Sequence, residues 1–291
     1  MAHSFGGQWT IEKLEKVRDY LQVYVTALKN KGFHLTYLDA FAGTGFVTTA
    51  EIPAFQSLLS GFEEADAKEF IAGSAKNALE VTPPFDQYIF IEKNIDRLVE
   101  LDELGKQSPT LASRIRLESG DANEYLKRFC EQDWNQRRAV IFLDPYGMQV
   151  KWETIKAIAA TQAIDVWILF PLGVAVNRLL RKDGNISEAT RKTLSEMFGT
   201  EDWFDAFFKT REIIGLFETM TLLEKTANLD SIADYFNRRL ATIFAGVSNH
   251  PRRLLNSKNN PLYLLCFAVG NPEPKAIGLA LKLADYILQM K

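Results

Sequence analysis

Ala139-Val140-Ile141-Phe142-Leu143 is an unbroken apolar run that stops abruptly at Asp144-Pro145-Tyr146-Gly147. Aliphatic and aromatic residues with no polar alternation describe a strand buried on both faces. Strands of that kind belong to parallel sheets covered by helices on either side. Working outward, the same signature recurs. Ile164 to Phe170 is a second apolar strand, closed by Pro171-Leu172-Gly173. On the N-terminal side lie Ile115 to Glu118, then Tyr88-Ile89-Phe90-Ile91 after the break at Pro83-Pro84, then Leu35 to Ala40. Helical spacing fills the gaps at residues 94–105, 122–131 and 151–161, with a further helix from Gly73-Ser74 to Glu80. Residues 46–69 read as irregular.

The ends of the chain extend the alternation. Residues 9–31 form an amphipathic helix carrying Leu14, Val17, Leu21, Tyr24, Val25 and Leu28 on one face, stopped by Gly32. Thr10 is its expected N-cap, and Lys13 stands where a capping box would place Glu or Gln. A last strand, Leu262 to Val269, precedes a helix over 275–290. Between Gly173 and residue 256 the pattern becomes helical and more charged, including the aromatic stretches Phe198–Phe208 and Ile213–Phe217. The expected architecture is α/β, a Rossmann-like, mostly parallel sheet with helices on both faces. Residues 1–173 and 256–291 form its core, and 174–255 form a helical insertion or cap after the fifth strand that binds target or partner.

Composition narrows the function. With 291 residues, 47% hydrophobic and 24% charged, the chain buries enough surface to need no disulfide or metal staple. Cys130 and Cys266 sit in apolar settings and read as buried thiols of a reducing compartment. His3, His34 and His250 lack metal-ligand spacing, so no metal is expected. The N-terminus has no signal-peptide pattern, and no apolar run approaches the roughly 18 to 20 residues of a membrane span. The expected location is cytoplasmic, with no membrane association. A formal charge of −3 gives no global attraction to nucleic acid but leaves room for a local basic groove.

Acids recur where the strands end. Asp39-Ala40-Phe41-Ala42-Gly43-Thr44-Gly45 follows the first strand, and its glycines allow a ligand to touch the backbone. Glu92 ends the second strand, where a carboxylate can accept hydrogen bonds from ribose hydroxyls. Gly120-Asp121-Ala122 follows the third and Asp144-Pro145-Tyr146 the fourth. Carboxylates at the C-terminal ends of neighbouring parallel strands point into one crevice. A dinucleotide site fits less well: position 48 is Thr, so the Gly-x-Gly-x-x-Gly spacing is incomplete.

This order resembles the class I S-adenosylmethionine-dependent methyltransferases over residues 35–173. The resemblance implies S-adenosyl-L-methionine as cofactor, held by Asp39, Phe41, Gly43, Gly45, Glu92, Lys93, Asp121 and Ala122. Asp144-Pro145-Tyr146-Gly147 resembles the Asp-Pro-Pro-Tyr type motif of amino-methyltransferases acting on bases, with one proline rather than two. That resemblance gives Asp144, Pro145 and Tyr146 catalytic roles. A carboxylate and a backbone carbonyl accept the hydrogens of an exocyclic amine, and an aromatic ring stacks on the base. The other reading is that Asp144 and Tyr146 only shape the cofactor pocket.

Over nearly the whole chain the sequence also resembles the bacterial three-Cys-motif partner proteins. The landmarks are Trp9-Thr10-Ile11-Glu12-Lys13-Leu14, Phe90-Ile91-Glu92-Lys93, Phe142 to Val150, Leu169-Phe170-Pro171-Leu172-Gly173 with Asn177-Arg178, and Asn256-Ser257-Lys258 with Pro261-Leu262-Tyr263. It implies a partner bearing a three-cysteine motif. Two basic groups are candidates for nucleic-acid contact: Arg178, Arg181 and Lys182 with Arg191 and Lys192, and Arg252 and Arg253 with Lys258. Such runs are also common on solvated helix faces. Trp134, Trp152, Trp167 and Trp203 read as core. Methylation of a nucleic-acid base amine is therefore the leading expectation. A protein or small-molecule acceptor is one rival, and a non-catalytic subunit of the three-cysteine partner is the other.

Overall fold

In the computed structural model the described residues are 8–42, 73–145, 147–214 and 219–290. Helix α1 (Gln8–Leu28) leads to β1 (His34–Asp39), and α2 (residues 73–79) to β2 (Gln87–Glu92). Then follow α3 (Ile95–Lys106), β3 (Ile115–Ser119), α4 (Ala122–Cys130), β4 (Arg137–Leu143), α5 (Trp152–Ala160) and β5 (Ile164–Phe170). The strands lie in the order β3-β2-β1-β4-β5, every neighbouring pair parallel. Each parallel crossover carries its own helix, as the alternating sequence pattern requires. The expected Rossmann-like parallel sheet with helices on both faces is present.

Strand residues alternate between two cores because successive side chains point to opposite faces. Leu38, Ile89, Ile141, Val166 and Ile168 pack with Leu126, Phe129, Ile155 and Ile158 of α4 and α5. Tyr37, Phe90, Val140, Phe142 and Trp167 pack with Val17, Tyr20 and Val25 of α1 and with Ala75 and Ala78 of α2. This double burial is why the strands read as unbroken apolar runs. Trp152, Trp167 and Trp203 are buried and Trp134 is partly buried, so all four belong to the core. Helix α1 begins by Gln8, so Thr10 lies within its first turn and does not cap it.

The region 174–255 is only partly helical. After β5 the chain turns through Leu172–Val176 and Asn177–Leu179, then forms α6 (Glu188–Phe198) and α7 (Trp203–Phe207). Next comes a separate antiparallel hairpin, β6 (Phe208–Ile214) with β7 (Thr219–Lys225), where helix was expected. Helix α8 (Leu229–Ala241), closed at its start by an Asn228–Ser231 capping box, returns the chain to the sheet. There β8 (Gly246–Val247) and β9 (Arg252–Leu255) pair antiparallel with β10 (Pro261–Val269), and β10 pairs antiparallel with β5. Segment 174–255 thus contributes two strands to the main sheet. Helix α9 (Pro274–Gln289) then packs on the α1 face through Ala284, Ile287 and Leu288. Gly173 marks a close approach to β10: a Cβ there would stand 1.9 Å from the Pro261 carbonyl oxygen.

Candidate active site

Parallel pairing carries four acids to one edge of the sheet. Asp39 is the last residue of β1 and Glu92 the last of β2; Asp144 directly follows β4, and Asp121 lies two residues beyond β3. In spatial order they run Asp121, Glu92, Asp39, Asp144. At about 4.8 Å per strand the row spans roughly 14 Å. Asp39 shares strand parity with Tyr37, Glu92 with Phe90 and Asp144 with Phe142, all of them on the α1 face.

Asp39 is buried and accepts hydrogen bonds from the Phe41 N–H (3.2 Å) and the Ser74 hydroxyl. Burial raises its carboxyl to about 7; the Ser74 bond works against that rise, while the Asp144 carboxylate adds to it. These two bonds tie it to the first residues after β1 and to α2. Phe41 is buried, and the Ala42 N–H donates to the Ile91 carbonyl at 3.0 Å, pinning that loop beside β2. Gly43, Gly45 and Tyr146 lie outside the described residues.

Glu92 is 7% exposed. Its Oε1 accepts from the Asn94 N–H at 2.7 Å, whereas its buried Oε2 has no hydrogen-bond partner among the described residues. A buried acceptor left unmatched costs about 1–3 kcal/mol, so it fits a ligand that arrives with a hydroxyl. Asp121 caps α4, its Oδ1 accepting from the Asn123 and Glu124 N–H groups, and its Oδ2 meets Lys93 Nζ at 3.0 Å. Partial burial would raise this carboxyl; Lys93 and the cap N–H groups outweigh it and hold it below the usual range. Gly120, at φ +148, makes the bend that delivers Asp121 to the helix start. Ala122 is buried behind it.

Asp144 is not a solitary carboxylate. Lys13 Nζ of α1 lies 2.6 Å from its Oδ2, with both side chains buried. Burial pushes the Asp144 carboxyl up, opposed by Lys13, and pushes the Lys13 ammonium down, opposed by Asp144 and Asp39. Pro145 is buried beside it. The sequence reading took Lys13 only as the residue standing where a capping box would place Glu or Gln, although its spacing to Val17, Tyr20 and Tyr24 puts it on the buried stripe of α1. Asn123 was also missed. Its side chain donates to the Gln149 carbonyl (2.9 Å) and accepts from the Lys151 N–H (3.0 Å) and the Thr154 hydroxyl (2.9 Å). It therefore ties the loop after Asp144 to the helix capped by Asp121.

The basic candidates are dispersed. Arg178 and Lys182 are exposed, and Arg181 pairs with Asp183 at 3.0 Å. On β9, Arg252 pairs with Glu12 at 2.6 Å and Arg253 pairs with Asp230. Among the described residues no group of His, Cys, Asp and Glu is arranged to hold a metal ion, and no helix is long and apolar enough to cross a membrane. Cys130 and Cys266 form no disulfide.

No family model and no curated protein matches the chain. Solved structures do resemble it. Protein LPL1258 from Legionella pneumophila aligns over 98% of this chain and 94% of its own, at 12% identity and a TM-score of 0.45. The glycopeptide N-methyltransferase MtfA, complexed with S-adenosylhomocysteine, aligns over 86% and 88%, at 12% identity and a TM-score of 0.31. A methyltransferase from Geobacter sulfurreducens aligns over 72% and 79%, at 13% identity and a TM-score of 0.26. The fold assignment above rests on strand order and register.

Proposed function

We propose that the protein is an S-adenosylmethionine-dependent methyltransferase whose acceptor is an exocyclic amine of a nucleic-acid base. The observation that carries the reading is the buried Oε2 of Glu92, which has no hydrogen-bond partner among the described residues, within a row of carboxylates at the C-terminal edge of a parallel sheet. That is where open α/β sheets receive ligands. The residues present fit the cofactor: Glu92 would accept ribose hydroxyls, Asp121 and Ala122 would border the adenine, and the backbone from Phe41 onward would meet the amino-acid part. When bound, the cofactor supplies an electrophilic methyl group on a sulfonium.

The chain's own residues then position the acceptor. Lys13 keeps the Asp144 carboxylate in one place, and Asn123 holds the following loop, so Asp144 and the Pro145 carbonyl can accept the two amine hydrogens. Asp144 orients the amine rather than deprotonating it, because in-line displacement can precede proton loss. Fixed alignment of this kind is worth roughly 7 to 11 kcal/mol. A base inside a duplex would have to leave the stack to reach it.

Calorimetric titration with S-adenosylhomocysteine tests the cofactor. Glu92→Gln should weaken binding roughly ten- to hundredfold, the worth of a charged hydrogen bond. If the wild type does not bind the compound, the reading fails. Labelled cofactor offered with separate DNA, RNA and protein pools, with and without the three-cysteine-motif partner, identifies the acceptor class and the partner's part in transfer.

A further inference from the structure

The row of acids is compensated at its two ends and not in its middle. At one end Asp121 meets Lys93 Nζ at 3.0 Å, and at the other Asp144 meets Lys13 Nζ at 2.6 Å. The middle members, Glu92 and Asp39, stand at the ends of the neighbouring strands β2 and β1. Among the described residues neither forms an ion pair. Their hydrogen bonds come from neutral donors: the Phe41 N–H and the Ser74 hydroxyl on Asp39, and the Asn94 N–H on Glu92. Only 1% of Asp39 and 7% of Glu92 is exposed. The surplus of negative charge is therefore both central and buried.

Such a surplus has two remedies, a proton or a cation. Asp39 is set to use either. Burial raises its carboxyl to about 7, and the Asp144 carboxylate beyond β4 adds to the rise. Ser74 of α2, the Phe41 N–H and, least of all, Lys13 of α1 oppose it. On its own strand the buried Tyr37 phenol, pushed well above its ordinary value, stays neutral. A cation arriving near Asp39 would favour the ionised carboxylate and release its proton. Glu92 adds an independent sign of a ligand: its buried Oε2 has no hydrogen-bond partner among the described residues. On the cofactor reading Glu92 takes the ribose and Asp144 the acceptor amine. Asp39 stands between them in the row, level with the charged centre that joins ribose to transferable methyl.

We propose that the central pair, Asp39 with Glu92, makes this edge selective for a cationic ligand over its neutral counterpart: a sulfonium over the thioether left after transfer. Asp39 acts through its charge rather than by contact, since each of its oxygens already accepts a hydrogen bond. Transfer removes the ligand's charge, so the residues that draw the ligand in also loosen their hold on what remains. The inference rests on the methyltransferase reading.

Calorimetric titration of the whole protein with three probes tests it: S-adenosylmethionine, the amine analogue sinefungin, in which an ammonium replaces the sulfonium, and S-adenosylhomocysteine. A group titrating near 7 is mostly ionised at pH 8 and mostly protonated at pH 6. The advantage of the two cations over the thioether should therefore grow roughly tenfold from pH 6 to pH 8. At pH 7, in buffers of different ionisation enthalpy, each cation should release about half a proton more than the thioether does. Asp39→Asn keeps an acceptor for the Phe41 N–H and a polar partner for Ser74. It should remove the extra proton release and most of the pH dependence of the advantage. Asp102→Asn on the exposed face of α3 should behave as wild type does. Equal proton release by all three probes on the wild type would overturn the charge selectivity, whether or not Asp39→Asn folds. So would an unchanged advantage in a folded Asp39→Asn. Either result, with all three probes bound, leaves the cofactor assignment standing. Binding of none of them would sink the methyltransferase reading and the selectivity with it.

Discussion

Glu92 and Asp144 are both buried carboxylates at the C-terminal edge of parallel strands, on the same face of one sheet, yet they are treated in opposite ways. Asp144 is met inside the protein by the buried Lys13 ammonium at 2.6 Å. Glu92 keeps one oxygen with no partner among the described residues. A paired buried charge has its desolvation offset by its partner, whereas an acceptor with no partner among the described residues carries a cost that those residues do not offset. On the proposed cofactor reading, the difference separates a group the protein holds still from a group it holds ready, and the two should respond differently to substitution.

The largest effect belongs to the locked pair. Lys13→Ala leaves Asp144 buried without its cation and should cost about 3–5 kcal/mol in urea denaturation, whereas Lys13→Met combined with Asp144→Leu should recover most of the loss. A single variant as stable as wild type would show that the pair holds nothing. Between the two carboxylates stands Asp39, raised to about 7 by burial. Its folded-state value lies above the ordinary 3.8, so the folded protein binds this proton more tightly than the unfolded chain. The associated stability is complete below about pH 4 and is lost as pH rises through about 7. Asp39→Asn should therefore narrow the difference in urea stability between pH 5 and pH 8; an unchanged difference would assign the pH dependence elsewhere. The smallest effect is expected at the exposed Arg181–Asp183 pair, where Arg181→Ala should leave the thermal midpoint almost unchanged because solvent screens the pair. A larger shift there would mean that exposed and buried pairs cannot be ranked by burial.

Much of the site was legible because strand ends are legible. The apolar runs of β1, β2 and β4 stop at Asp39, Glu92 and Asp144, residues that cannot stay in a dry sheet unsupported, and Asp121 follows a glycine at the turn before α4. Less was legible around them. Ile213–Phe217 is aromatic and apolar enough to read as helix, but Ile213 and Ile214 pair in a hairpin with Thr219 and Met220. The short strands Gly246–Val247 and Arg252–Leu255 carry too few residues for a period and are defined only by β10 alongside them. Lys13 was read as a missing capping residue when it is the counter-ion of a group 131 positions away.

By itself the amino-acid sequence determined the parallel α/β core and the placing of acids at its strand ends, because apolar period and chain breaks are local properties. Tertiary structure alone decided which acid found a cation, which has an oxygen unmatched among the described residues, and which arginine of β9 met Glu12. Those outcomes depend on residues brought together across the sheet from distant parts of the chain, and no local pattern encodes them.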